Sequence, residues 1–522
     1  MTALTLGRVP TTAVATSTVS EGPPPVAMAL TIVLVLGSVL YPFALYDGDV
    51  GRSLSASGVT IFWSHAAFCA VTLLTAVALR ATAFTAVQLF HWIFYVVAAR
   101  EQFIHQWDGL YALTDVVERG LVYLLIYEIV IFFVYLAVTQ LRRRPLPAAE
   151  VRPRRLAGAR RLTVLLTTCL VVDLALLAHF GSELFANREV FAVKAAQLFP
   201  AQANLFFLQY FRPLLYFIPL FILRSQITWP RRREDPLPGA LIGLALICVL
   251  LGYSFNTPFN SPRFHAGSIA VGTVMLFLGA RCLSALLSIV VVGLFAAPLF
   301  HAFRNEWTRE HSGTAFGELG LEQFRSFDFD ALSNHLYAVY YLEKFEHFYG
   351  VNLLSGLLFF VPNEIWTGKI SNSGGHVLGA VGWEFRGMFP PNSSMPLVGD
   401  GLLAFGIVGV ILVAVLFAVA LRLLDLAPHP ARPEWTALYP RAAVLAFTPV
   451  LLFFLSRGVL VPAFAYSSGN LLAAATAAAL IAQSARGARP PAPGSRGHRI
   501  GARWRGTAVA AAVDATPPRA PG

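Results

Sequence analysis

One recurrence constrains this chain more than anything else: runs of about twenty apolar residues appear again and again along it. They cover 26–45, 59–79, 82–99, 120–138, 162–181, 204–223, 238–254, 267–280, 283–301, 400–421, 442–456 and 463–482. A helix needs about 20 apolar residues to cross bilayer hydrocarbon. Only 13% of the 522 residues are charged, roughly half of what an average soluble domain carries to cover its surface. The expected fold class is therefore an all-α polytopic membrane protein with about 12 transmembrane helices. At Arg281 the pattern allows two arrangements, with 267–280 and 283–301 as two spans or as one bent element.

Charge placement orients the spans. The net charge is +11, and it is concentrated: 139–161 carries eight arginines against Glu150, and 483–522 carries seven against Asp514. Nucleic-acid binding would need such clusters on a soluble surface, whereas beside apolar spans they mark the cytoplasmic side. With the N-terminus inside, twelve crossings put 139–161, 224–236, 422–441 and 483–522 all in the cytoplasm. The expected layout is a disordered cytoplasmic N-tail (1–25), transmembrane helices 1–9 (26–301), a large extracytoplasmic loop (302–399), transmembrane helices 10–12 (400–482) and a basic disordered cytoplasmic tail (483–522). The expected location is the cytoplasmic (inner, plasma) membrane.

The loop 302–399 concentrates the polar chemistry, with ten carboxylates and two of the three lysines. Asp328 and Asp330 precede a helical pattern, ALSNHLYAVYYLEK, that contains His335. Asp330 suits a helix cap, but carboxylates and a histidine at the membrane surface are also candidate general bases. Arg263 and Arg457 sit in short external loops, against the positive-inside trend, and Arg212 lies within an apolar span. One reading has Arg212 neutralised by Asp173 between helices. The other lines an external anion site with Arg212, Arg263 and Arg457, since guanidinium groups match diphosphate oxygens. Lys369 adds a compact positive charge in an otherwise arginine-rich chain. No HExxH, GxSxG, Walker or CxxC pattern is present, which weighs against zinc enzymes, hydrolases and ATPases. The four cysteines form no framework, and no metal or cofactor is expected.

Three stretches carry a family resemblance: FYGVNLLSGLLFFVPNEIWTGK, NSSMPLVGDGLLAFGIVGVIL and LLFFLSRGVL. Their Tyr349-Gly350, Pro362 to Lys369, Asp400 before Phe405-Gly406 and Gly409, and Arg457-Gly458 resemble the motif set of the Wzy-type oligosaccharide repeat-unit polymerases, the O-antigen and exopolysaccharide polymerase family. The likeness is strongest over 255–465. It departs from the family pattern at Asn363, Thr367, Ile370 and Asp400, where arginine, prolines and glutamate are common. The resemblance implies a metal-independent membrane glycosyltransferase that polymerises undecaprenyl-diphosphate-linked oligosaccharide repeat units during surface polysaccharide biosynthesis. It implies Asp330, Asp400, Asp328 or His335 as the base. It also implies Arg263, Lys369, Arg457 and Arg212 as contacts of the substrate diphosphate. Partners would be the lipid-linked oligosaccharide, the membrane, a flippase and a chain-length regulator, with no nucleic acid.

Two other classes remain open. Another polyprenyl-phosphate-dependent membrane glycosyltransferase would use the acids of the first external loop, Asp47 and Asp49, and a lipid-glycan ligase would share the lipid-diphosphate donor. A flippase or transporter would use midplane charges such as Asp173 and Arg212, but leaves the acidic external loop without a purpose.

Overall fold

The computed structural model describes residues 25–45, 50, 54–105, 109–141, 154–185, 188–199, 201–227, 237–257, 260–261, 263–278, 283, 286–287, 290, 324, 329–386, 394–427, 437–458 and 460–484. They are almost wholly helical, in keeping with an all-α membrane protein. The first helices are α1 (Pro25–Leu45), α2 (Ala56–Ala78), α3 (Thr82–Ile104), α4 (Thr114–Leu141), α5 (Ala159–Phe180) and α6 (Arg188–Leu198). Then come α7 (201–227), α8 (Gly239–Ser254) and α9 (Arg263–Leu278). The loop contributes α10 (Ala331–Lys344), α11 (Val351–Leu357) and α12 (Ser373–Val381), and α13 (Leu397–Leu426), α14 (Pro440–Arg457) and α15 (Leu460–Ile481) complete the body.

Six helices among the described residues are long and apolar enough to cross a membrane: α2, α3, α4, α5 with the turn after it, α13 and α15. A seventh, α14, qualifies as a bent pair broken by 43° at Pro449, which cannot donate the backbone bond that would keep the helix straight. The apolar helices Pro25–Leu40, Gly239–Ser254 and His265–Leu278 are shorter. The run at 204–223 becomes α7, interrupted by a π turn at Phe207–Phe211 and containing Pro219. The run at 283–301 lies almost entirely outside the described residues, as do 1–24, most of 302–328 and 485–522.

The helix ends sort into two groups. At one end of the body, Asp425 near the end of α13 accepts the backbone N–H groups of Ala83 (2.8 Å) and Phe84 (3.2 Å) at the start of α3, and the Tyr135 hydroxyl (3.0 Å) near the end of α4. The consecutive helices α14 and α15 pack on each other and turn between Arg457 and Leu460 at the opposite end, so this end holds the start of α14 and the end of α15. A two-stranded antiparallel ribbon, β1 (Arg154–Leu156) with β2 (Ala482–Ser484), then ties the start of α5 to the end of α15. The opposite end carries the loop helices. There α10 packs on α3, α4 and α13, and α11 packs on α13 and α15.

Within α13 the chain breaks. Phe405 (φ −149°) and Gly406 (φ +62°) leave helical geometry. Beyond them the chain folds back so closely that a Cβ on Gly409 would lie 1.9 Å from the carbonyl oxygen of Gly401. In continuous helix, residues eight apart stand about 12 Å from one another along the axis. Residues 397–404 are thus a separate short helix laid against the start of the long one.

Candidate functional site

Where the loop helices meet the ends of α3, α13, α14 and α15, three of the sequence candidates come together. Arg457 ends α14, and its Nη2 lies 3.8 Å from Oδ1 of Asp330, both side chains being almost completely buried. The guanidinium stands 5.8 Å from the centre of the Phe94 ring, a cation–π distance. Phe94 belongs to a π turn, Trp92–Val97, within α3. Asp330 occupies the position before α10, yet its side chain makes no capping bond. The capping role open to it from sequence is not the one it takes here.

Three residues beyond Arg457, the backbone of Leu460 approaches Asp400. This second carboxylate is buried in the short helix formed by the α13 break. Its Oδ1 accepts from Ser373 Oγ (2.6 Å) and Asn352 Nδ2 (3.0 Å), while Oδ2, also buried, accepts no hydrogen bond. Local sequence builds this cradle. Gly350, at φ +80°, turns the chain into α11 and delivers Asn352. Asn372 caps α12 by accepting the Gly375 N–H, which presents Ser373. Asn352 and Ser373 are the site residues that sequence reasoning missed. The signal was there, a lone Asn in an apolar run and a Ser at a helix start, but neither points to Asp400 without the fold.

The other candidates are placed differently. Lys369 donates to the carbonyls of Phe359 (2.8 Å) and Val361 (2.7 Å), tying down the chain after α11, and burial pulls its ammonium below the usual lysine range. His335 is fully buried and bonds through Nε2 to the carbonyl of Gly120 on α4 (3.1 Å). Desolvation holds its pKa down at about 4, so the ring is neutral and Nε2 carries the proton. Arg212 gives its donors to Leu208 O in the π turn of α7, to Phe255 O (2.8 Å) and to Ser261 Oγ (3.2 Å). It therefore does not neutralise Asp173, whose two buried carboxylate oxygens accept no hydrogen bond. Arg212 instead anchors a second polar patch in which Asn256 and Asn470 flank His265. Arg263 opens α9, but its side chain lies outside the described residues, as do Asp328, Asp47 and Asp49 altogether.

The arrangement brings together a buried guanidinium, the carboxylate paired with it, and a second carboxylate with one oxygen left open. Chemically, the guanidinium can hold an anion and either carboxylate can take a proton. Among the described residues, the group able to hold a metal ion is elsewhere: His65, Cys69 and Glu128, on α2 and α4. Comparison with known protein families, characterised proteins and solved structures finds no match.

Proposed function

We propose that this chain is a membrane glycosyltransferase that polymerises undecaprenyl-diphosphate-linked oligosaccharide repeat units into a surface polysaccharide. The observation that carries this reading is the buried Arg457–Asp330 pair, with Asp400 against the backbone three residues after Arg457, at the end of the body that bears the loop helices. In the reaction, a sugar hydroxyl of the acceptor repeat unit attacks the anomeric carbon of the donor. A new glycosidic bond forms, the bond to the diphosphate breaks, and the electron pair leaves with the lipid diphosphate. The hydroxyl proton passes to a carboxylate. Arg457 offers the leaving group a forked donor, buried away from bulk water where such donors act most strongly. An incoming diphosphate competes with Asp330 for that guanidinium, and Asp330, once released, becomes a base beside it. Asp400, with its open Oδ2, is the alternative proton acceptor.

The same proposal has twelve spans in the cytoplasmic membrane, the loop 302–399 outside and both termini inside. The grouping of helix ends supports it. The arginine-bearing strand at 154–156 and the start of the basic tail at 482–484 pair with each other, and they lie at the end opposite the loop helices.

The test is reconstitution. Purified protein in liposomes, supplied only with lipid-linked repeat units, should yield longer glycans still attached to the lipid diphosphate. Transfer only to a different acceptor would make it a ligase. Faster lipid flipping with no new glycosidic bond would make it a transporter.

A further inference from the structure

We propose that His65, Cys69 and Glu128 form a site for one zinc ion in the interior of the helical body, with His91 behind Glu128. The four side chains come from α2, α3 and α4, and each is at most 1% exposed. His65 and Cys69 are four residues apart, on one face of α2, and His65 Nε2 stands 3.4 Å from Cys69 Sγ. Tetrahedral zinc, with Zn–S of about 2.3 Å and Zn–N of about 2.0 Å, sets neighbouring ligand atoms roughly 3.3–3.6 Å apart. One ligand atom from each of His65, Cys69 and Glu128 lies within 4.8 Å of the others. His91 Nδ1 contacts Oε1 of Glu128 and supports that ligand from outside the group.

Charge favours this occupant. A divalent ion, one thiolate, one carboxylate and one neutral imidazole sum to zero, which removes the large cost of a net charge in an apolar interior. The mixture of nitrogen, sulfur and oxygen donors suits a borderline ion such as zinc and does not suit magnesium or calcium. The ligands are also supported from behind. Gln88 Nε2 donates to Glu128 Oε2 (3.3 Å), and Thr72 Oγ1 donates to Gln88 Oε1 (2.6 Å). Such outer contacts orient a metal-bound carboxylate. The π turn of α3 starts immediately after His91, and π turns inside α-helices recur at functional sites because they re-aim side chains. Three protein ligands leave the fourth position to a water, and burial on every side keeps substrates from it, so the ion would be structural. It would clamp α2 to α4, with His91 on α3 one turn away from Phe94, the ring beside Arg457. The sequence pattern hides the site because its ligands lie on two separate helices.

The rival arrangement is a metal-free His91–Glu128 pair beside an inert thiol. Elemental analysis separates the two, using full-length protein purified in detergent through a tag without histidine and washed with chelator. We expect about one zinc per chain. We expect Cys69→Ala and Glu128→Gln, checked for monodisperse elution, to lose at least about tenfold of it. Protein produced with cobalt in place of zinc should show a thiolate-to-cobalt charge-transfer absorption, a readout on the unaltered chain that stands even if the variants fail to fold. The proposal is overturned by monodisperse wild-type protein that holds less than about a tenth of an ion per chain and takes up no cobalt. It is equally overturned by full zinc retention in Cys69→Ala, or by stoichiometric copper or iron in place of zinc.

Discussion

Arg457 and Asp330 depend on each other, and this decides which substitutions are informative. Removing one partner of a buried ion pair strands the other charge, at a cost of about 3–5 kcal/mol. Arg457→Ala should therefore lower the amount of folded protein as well as activity, and it cannot separate the two effects. Arg457→Lys keeps the charge opposite Asp330 and loses the fork. It should accumulate normally and polymerise at least about a hundredfold more slowly, the cost of losing one transition-state donor. Asparagine at Asp330 or Asp400 preserves shape, and α10 has no capping bond from the Asp330 side chain to lose. Asp330→Asn also removes the charge opposite Arg457, so its rate is read per amount of folded protein. Whichever of these acids is the base should lose at least about a hundredfold in rate when changed to Asn, with lipid-substrate binding retained. Normal polymerisation by both Asn variants would move the base elsewhere. His335 has a different part. Its folded pKa of about 4 lies below the ordinary 6.5, so between these values the unfolded chain binds the extra proton. The stability it contributes is complete above pH 6.5 and fades as pH falls toward 4, amounting to about 2 kcal/mol lost by pH 5. His335→Gln, which can still donate to Gly120 O, should flatten that acid limb in thermal unfolding of the detergent-solubilised protein. Its activity at neutral pH should fall by less than the hundredfold expected of a base.

At the scale of single elements, the apolar runs made the helices legible, because length and hydropathy are written locally. The break in α13 was not legible. Phe405 and Gly406 lie inside LLAFGIVGVIL, which reads as one uninterrupted span beginning at Asp400. What opens it is tertiary: Gly401 and Gly409 allow the two pieces of backbone to touch, and a left-handed Gly406 makes the turn between them. The break matters for function, since it buries Asp400 beside Asn352 and Ser373. Gly409→Ala, whose methyl would collide with Gly401 O, should sharply reduce folded protein. Gly406→Ala should strain the turn by about 1 kcal/mol or more. Gly243→Ala in α8 meets nothing within 4 Å and should be neutral or slightly stabilising, by up to about 1 kcal/mol. Folded yield by fluorescence size exclusion ranks the three. Equal yields would mean that residues 397–426 form one continuous helix. The π turns of α3 and α7 were hidden for the same reason as the break, because nothing in an apolar run announces a change in helical winding.

For the molecule as a whole, the sequence exposed the class and concealed the assembly. Few charges and many apolar runs require a membrane protein, but which runs touch depends on side chains far apart in the chain, such as Asp425 with Ala83 or Gln102 with the carbonyl of Phe329. Those contacts define two ends, and the arginine clusters then propose which end faces the cytoplasm. The proposal can be tested with single cysteines at exposed positions. Thr367 lies in the loop, Arg160 in the first turn of α5 and Gln483 in β2, and all three are exposed. Ser373 is a poor reporter, because it is buried against Asp400. In intact cells a membrane-impermeant maleimide should label Thr367→Cys. Arg160→Cys and Gln483→Cys should react only after the membrane is opened, with unsubstituted protein as the blank, since Cys69, Cys169 and Cys248 are buried. Labelling of all three from outside would mean that the ends are not on opposite faces of a membrane. The reverse pattern would keep the architecture, invert its orientation, and put the Arg457 site in the cytoplasm, where an extracytoplasmic polymerase cannot have it.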